Sequence, residues 1–199
     1  MTRFCIHIMP DGSSLSKNIF VTGPPKCGKS TVIEKLLAGI EKAATGFFTR
    51  EIREKGRRTG FSITTLDGKK GVLAHENIKS RLKVGKYGVN LHDIDEIAVP
   101  SMMPARAGEI VVIDEVGKME CFSSLFREIL IKVLDSDHPV IGSIAQKGDK
   151  FIQEIRARDD VLLVPLTKKN RDEPELIERL RNSTTGCNHL SFGGSFLCH

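Results

Sequence analysis

Eight residues, Gly23-Pro24-Pro25-Lys26-Cys27-Gly28-Lys29-Ser30, constrain this chain more than any other feature of it. They follow a short apolar run, Asn18 to Thr22, and lead into a segment with Val32, Leu36, Leu37 and Ile40 at helical spacing. Strand, glycine loop and helix in that order build a phosphate cradle. Gly23 and Gly28 let the backbone wrap closely round phosphate oxygens, aiming N–H groups inward where a Cβ would obstruct the approach. Lys29 brings a point charge to the β- and γ-phosphates, and Ser30 offers a hydroxyl to a Mg²⁺ ion. Thr31 is a further donor, and the helix adds its positive N-terminal dipole. Pro24, Pro25, Lys26 and Cys27 fill the variable positions. Lys26 adds charge at the phosphates or is solvated, and Cys27 is a small filler or a reactive thiol.

A second segment supplies the expected partner. Val111-Val112-Ile113-Asp114-Glu115 is an apolar run ending in two carboxylates, and a run buried on both faces belongs in the middle of a sheet. Its C-terminal end is where open α/β sheets place their ligand crevice. Asp114 is suited to hold the Mg²⁺ shell, and Glu115, on the opposite side of the pleat, to orient and deprotonate an attacking water. Glu115 and Lys29 are therefore the candidate catalytic residues, and Ser30 and Asp114 the candidate metal ligands. Hydrolysis of a nucleoside triphosphate is the first reading. A nucleotide-gated switch for RNA or a protein partner is the alternative from another class, and a nucleoside or polynucleotide kinase the third.

The rest of the chain reads as one α/β domain. From Gly46 to Val89 the periodicity is two, with turns at Lys55-Gly56 and Asp67-Gly68, as in an antiparallel β-meander. Helices are expected over 29–42, 92–103, 119–134, 149–157 and 172–180, and strands over 109–113, 140–145 and 161–165. This alternation predicts a three-layer fold, a mainly parallel sheet with helices on both faces, with the meander beside it. The domain is expected over residues 18–182, between an N-terminal extension, 1–17, and a C-terminal tail, 183–199. Residues 3–9 read as a short edge strand or irregular arm.

Composition bounds the partners. Hydrophobic residues at 40% suffice for one core, and a net charge of +5 attracts polyanions without choosing among them. The five scattered cysteines are read as reduced thiols and the protein as cytoplasmic. No run is long enough to cross a bilayer, so no membrane partner is expected. Between Arg50 and Lys86 eleven basic residues face four acidic ones. The segment lacks the aromatic interleaving of stacking platforms, so it reads first as a solvated or nucleotide-steering face and second as a nucleic-acid surface. Arg53 within it is a candidate phosphate contact or internal arginine finger, against the plainer reading of a surface ion pair.

Several stretches resemble a small family of P-loop nucleoside-triphosphatases, which includes the human cancer-related enzyme and thermophilic archaeal and bacterial relatives. They are Gly23 to Thr31, Gly46-Phe47-Phe48-Thr49 with Glu51-Ile52-Arg53, Arg58-Thr59-Gly60-Phe61, Gly85 to Val89, Ile113 to Glu120, and Thr167 with Asn170-Arg171. The continuation Val116-Gly117-Lys118-Met119-Glu120 is the most specific. The resemblance implies Mg²⁺-dependent hydrolysis of several nucleoside triphosphates, and a core in which another strand separates the loop strand from the Asp-Glu strand. Lys26 stands where relatives look to carry glycine, a departure expected to alter the loop and slow turnover. Lys118 is close enough to Glu115 to reach the γ-phosphate or to remain a surface lysine. Asn170 and Arg171 are candidates for base or ribose contact, with capping as the alternative for Asn170. Gln146 is a candidate γ-phosphate sensor. Cys187, His189, Cys198 and His199 match no common zinc spacing and are read as a tail.

Overall fold

A computed structural model describes residues 16–185. The edge strand expected over 3–9 and the Cys/His tail lie outside the described residues. Nine strands among the described residues form one sheet in the order β5-β6-β4-β3-β2-β7-β8-β1-β9. Strands β1 (Asn18–Thr22), β8 (Val140–Ile144), β9 (Val161–Pro165), β7 (Ile110–Val116) and the first half of β2 (Ala44–Glu54) are joined in parallel. Strands β3 (Arg57–Thr65), β4 (Lys70–His75), β5 (Lys83–Val84) and β6 (Tyr87–Val89) continue the sheet antiparallel from β2. The meander is thus an extension of the same sheet. β8 separates the loop strand β1 from the Asp-Glu strand β7, the arrangement the resemblance implies.

Alternation along β7 sorts the core into two layers. Ile110 and Val112 join Ile19, Val21 and Ile141 beneath α1 (Lys29–Leu37) and α6 (Pro174–Thr185). Val111 and Ile113 face the other way, onto α4 (Ser124–Asp135), α5 (Lys150–Arg156) and the short helical turns between 91 and 101. All four residues of β7 named here are fully buried, as its central place requires. Those turns, α2 (Leu91–Asp93), a π turn (Ile94–Ala98) and α3 (Val99–Ser101), replace the single helix expected over 92–103.

Two helix boundaries differ from expectation for visible reasons. α1 stops at Leu37, short of residue 42 and of the periodic Ile40, with Ala38 as its C-cap, Gly39 next, and Arg181 of α6 donating to the Lys35 carbonyl at 2.7 Å. The helix expected from 119 begins at Ser124, because Ser123 caps it by accepting from the Phe126 N–H at 2.9 Å. Residues Glu120–Phe122 form a separate 3-10 turn. Gly46 sits where β2 meets β7 at φ 115°, and a Cβ there would stand 2.0 Å from the Val112 carbonyl oxygen. That close backbone approach explains the glycine at the start of Gly46-Phe47-Phe48.

Candidate active site

The phosphate loop runs from the end of β1 to the start of α1, and its shape follows from three residues. Gly28 is in the left-handed region at φ 104°, and a Cβ there would meet the Arg171 side chain at 2.9 Å. Gly23 has no room for a Cβ either, with the Leu166 carbonyl oxygen 2.4 Å from where one would be. Cys27 is buried within the loop, its Sγ facing Gly23, so the small-filler reading of it fits. The Cys27 N–H donates to the Pro24 carbonyl at 3.3 Å, and the Val32 N–H to that of Gly28 at 3.0 Å.

Lys26 is the third residue, and it is left-handed as well, at φ 64°. An L side chain there costs about 1–2 kcal/mol, which glycine avoids at the expense of a looser unfolded chain, about 0.5–1 kcal/mol. Lys26→Gly is therefore expected to raise stability by up to about 1 kcal/mol in urea denaturation. A loss of stability would mean that the lysine side chain itself holds the loop.

Contacts across 84 residues bring the loop and the β7 carboxylates together. Ser30 Oγ donates to Asp114 Oδ2 at 2.5 Å, and Ser143 Oγ of β8 donates to Oδ1 at 2.5 Å. Lys29 Nζ donates to the Gly23 carbonyl at 3.4 Å and stands 3.9 Å from Glu115 Oε1. Burial raises the pKa of Asp114, opposed by the two serine hydroxyls and by Arg50 and Lys29. Burial also raises that of Glu115, opposed by Lys29 and reinforced by Asp114. The donor set is one carboxylate and one hydroxyl, hard oxygen ligands of the number Mg²⁺ takes when phosphates and water complete its shell. The residues present fit that ion.

These groups line one cleft of about 740 Å³, with Gly23, Pro25, Lys26, Gly28, Lys29, Ser30 and Thr31 on the loop side and Asp114 and Glu115 at its floor. Gln146 and Lys147 enter from the end of β8. The opposite wall, Thr49, Arg50, Glu51, Arg58 and Phe61, comes from β2 and β3. Sequence reasoning missed Arg50, Glu34 and Ser143. The Thr49-Arg50-Glu51 stretch beside Phe47-Phe48 was the available signal for the first, and nothing local marked the other two.

Other candidate residues are placed differently. Val111, Val112, Ile113, Val116 and Gly117 are buried backbone positions beneath the site, and Lys118 is exposed and outside the cleft lining. Arg53 also lies outside that lining, with Nε on Glu51 at 2.9 Å and Nη1 on the Gly56 carbonyl at 3.1 Å. The surface ion pair, the plainer of its two readings, is what the structure shows. The Asn170 amide is taken up by its own loop: Oδ1 accepts from the Thr167 N–H at 2.8 Å and hydroxyl at 3.1 Å, and Nδ2 donates to the Pro165 carbonyl at 3.0 Å. Arg171 packs over Gly28 and, with Gly28, Thr31, Val32 and Asp172, lines a second cavity of about 140 Å³ that shares Gly28 and Thr31 with the main cleft. In the basic meander, Arg57 and Lys86 pair with Glu76, and Arg58 with Glu51.

The sequence model of the family described as NTPase matches residues 18–179. The chain belongs to the NTPase family. Among its relatives, the nucleoside-triphosphatase THEP1 of Thermotoga petrophila is 46% identical over 155 residues, 77% of this chain and 86% of that one. The crystal structure of THEP1 from the hyperthermophile Aquifex aeolicus superposes with a TM-score of 0.74 at 34% identity, over 82% of this chain and 96% of that one. The solution structure of a human cancer-related nucleoside triphosphatase gives 0.72 at 32% identity, over 86% and 98%. Membership in the NTPase family makes the chain an enzyme that hydrolyses nucleoside triphosphates. No helix among the described residues is long and apolar enough to cross a membrane.

Proposed function

We propose that this NTPase hydrolyses ATP, GTP, CTP and UTP alike, with Mg²⁺, to the diphosphate and phosphate. The observation that carries the reading is the Ser30–Asp114 hydrogen bond, which joins the phosphate loop to the β7 carboxylates and sets Glu115 beside Lys29. The loop N–H groups and Lys29 hold the triphosphate. Glu115 takes a proton from the water that attacks the γ-phosphorus, and the β-phosphate leaves with the electron pair of the bridging bond. Gln146 reaches into the cleft from the end of β8, where its amide serves the γ-phosphate. Ser30 and Asp114 would hold a Mg²⁺ ion, which would supply positive charge against the phosphates.

Breadth follows from where the binding contacts lie. They fall on phosphates common to every nucleotide, and the Asn170 amide is committed to its own loop. A stacking or apolar slot discriminates bases by about 10² or less, whereas a buried hydrogen-bonding reader reaches about 10⁴. The kcat/KM values for the four triphosphates are thus expected within about 10² of one another, with phosphate release lost on chelation of Mg²⁺. Preference for one base above roughly 10³ would overturn the breadth, and release that survives chelation would overturn the metal requirement. Binding without release would make the chain a switch, and transfer to an added nucleoside in place of water would make it a kinase. The scattered cysteines, of which Cys27 and Cys121 are free and buried, support a reducing, cytoplasmic setting.

A further inference from the structure

β2 is longer than the ladder it shares with β7. Its residues Ala44 to Phe48 pair with β7, Phe48 standing opposite Asp114, and the remainder runs on beyond that point, backed by β3. Arg50 therefore lies two residues, roughly 7 Å, past the level of Asp114 along the strand. Alternation puts Arg50 on the same face as Phe48, which packs in the core layer under α1, and its guanidinium lies 4.9 Å over the Phe48 ring. Ser30 and Glu34 are one helical turn apart on α1, Ser30 bonded to Asp114 and Glu34 to the overhang. Glu34 pairs with Arg50 Nη2, while Nη1 stands 3.6 Å from Asp114 Oδ2, the oxygen that accepts from Ser30. Nη1 also donates to the Thr49 carbonyl at 2.9 Å.

From this placement we infer that Arg50 is a catalytic arginine supplied by the chain itself, whose guanidinium settles on the γ-phosphate oxygens as the bond to the leaving diphosphate breaks. The inference rests on the hydrolytic reading above. In the step itself water forms the new P–O bond, the β–γ bridging bond breaks towards the diphosphate, and Glu115 receives the proton. Arg50 stays protonated throughout and neutralises charge that moves onto the transferring group. Lys29 and Arg50 then bracket that group, one from the loop and one from the β2 wall. The Glu34 carboxylate that now shares Arg50 is half exposed, so exchanging it for a phosphate oxygen costs little.

Neighbouring arginines are committed elsewhere. Arg53 is tied to Glu51 and to the β2–β3 turn. Arg58 donates to Glu51 at 2.8 Å and to the Tyr87 hydroxyl at 3.1 Å, and lies over the Phe61 ring farther out on the wall. A bidentate planar fork suits the equatorial oxygens of a phosphoryl group in a way that an ammonium does not.

The test uses the full chain and four measurements: steady-state hydrolysis, binding of a non-hydrolysable triphosphate, capture of ADP with aluminium fluoride, and thermal stability. In Arg50→Ala, kcat is expected to fall about 10³-fold with triphosphate affinity changed less than about fivefold, and the ADP–aluminium fluoride complex to be lost. Added guanidinium is expected to restore part of the rate, and Arg50→Lys to stay near the alanine variant. Arg53→Ala should remain within about threefold of the parent. Arg50→Ala with kcat within about tenfold of the parent and the fluoride complex intact would overturn the inference. So would parallel losses of binding, thermal stability and rate that guanidinium does not relieve, since those mark a structural arginine. A parent chain that releases no phosphate overturns the hydrolytic reading and this inference with it, and the unsubstituted control tells that failure from the others.

Discussion

Replacing Glu115 with glutamine is expected to lower kcat by about 10²- to 10⁴-fold while leaving triphosphate affinity within a few-fold of the parent. Glutamine keeps the size of the side chain and one carbonyl oxygen to orient a water, but it cannot accept the proton that water must lose. The groups that hold the triphosphate, the loop N–H donors and Lys29, are untouched by the change. Glu115 Oε1 is 3.9 Å from Lys29 Nζ, so the amide also relieves Lys29 of a negative neighbour, which favours binding. Phosphate release and the dissociation constant, measured on the same preparation, separate the two effects. Release that survives within about tenfold would remove Glu115 from the proton transfer and leave Asp114 or the substrate itself as the acceptor. Asp114→Asn is a weaker probe of the same question, since Asp114 also anchors Ser30 and Ser143.

The parts of this site that are legible in the sequence are the parts built from neighbours along the chain. Gly23 to Ser30 dictates a loop because each residue acts on its own backbone or on the helix that follows, and Val111 to Glu115 dictates a buried strand because its apolar run is unbroken. The order of those two strands in the sheet came from family resemblance, since nothing in either segment fixes which strand lies between them. Arg50 is different in kind. As sequence it is one of eleven basic residues in a meander, and whether it turns towards the loop depends on where β2 stops pairing with β7. The ladder ends at Phe48 opposite Asp114, although both strands run on past that pair, and nothing at residue 50 marks the place. Ser143 likewise becomes informative only when β8 is known to lie between β1 and β7, which sets its hydroxyl against Asp114. Glu120 shows the converse limit. Resemblance singled out the run Gly117-Lys118-Met119-Glu120, yet of its two charged residues the exposed one, Lys118, drew the functional reading, while the carboxylate went inside the protein.

That carboxylate leads to the second large effect. Glu120 is 5% exposed at the start of the 3-10 turn after β7, and a Cβ on Gly117 would lie 2.8 Å from its Oε2 and 3.7 Å from Glu115 Cγ. Burial, joined by the charges of Glu115 and Asp114, pushes its pKa from 4.5 up to about 8, while the backbone N–H groups of Glu120 and Gly117 pull the other way. The folded chain therefore keeps a proton there that the unfolded chain releases above pH 4.5. Where the native state binds more protons than the unfolded state, stability falls as pH rises. The contribution is complete below pH 4.5 and is lost progressively until the folded group itself ionises near pH 8. At about 1.4 kcal/mol per pH unit, the span amounts to something on the order of 5 kcal/mol, a large share of the stability of a domain this size. Glu120→Gln keeps the shape of the protonated acid and cannot ionise. In urea denaturation without nucleotide or Mg²⁺, the variant is expected to match the parent near pH 4.5 and to exceed it increasingly up to pH 8, by several kcal/mol at the top of the range. Parallel stability curves for the two proteins across that range would mean that Glu120 is ionised in the fold at neutral pH, held by partners stronger than the two N–H groups that face it.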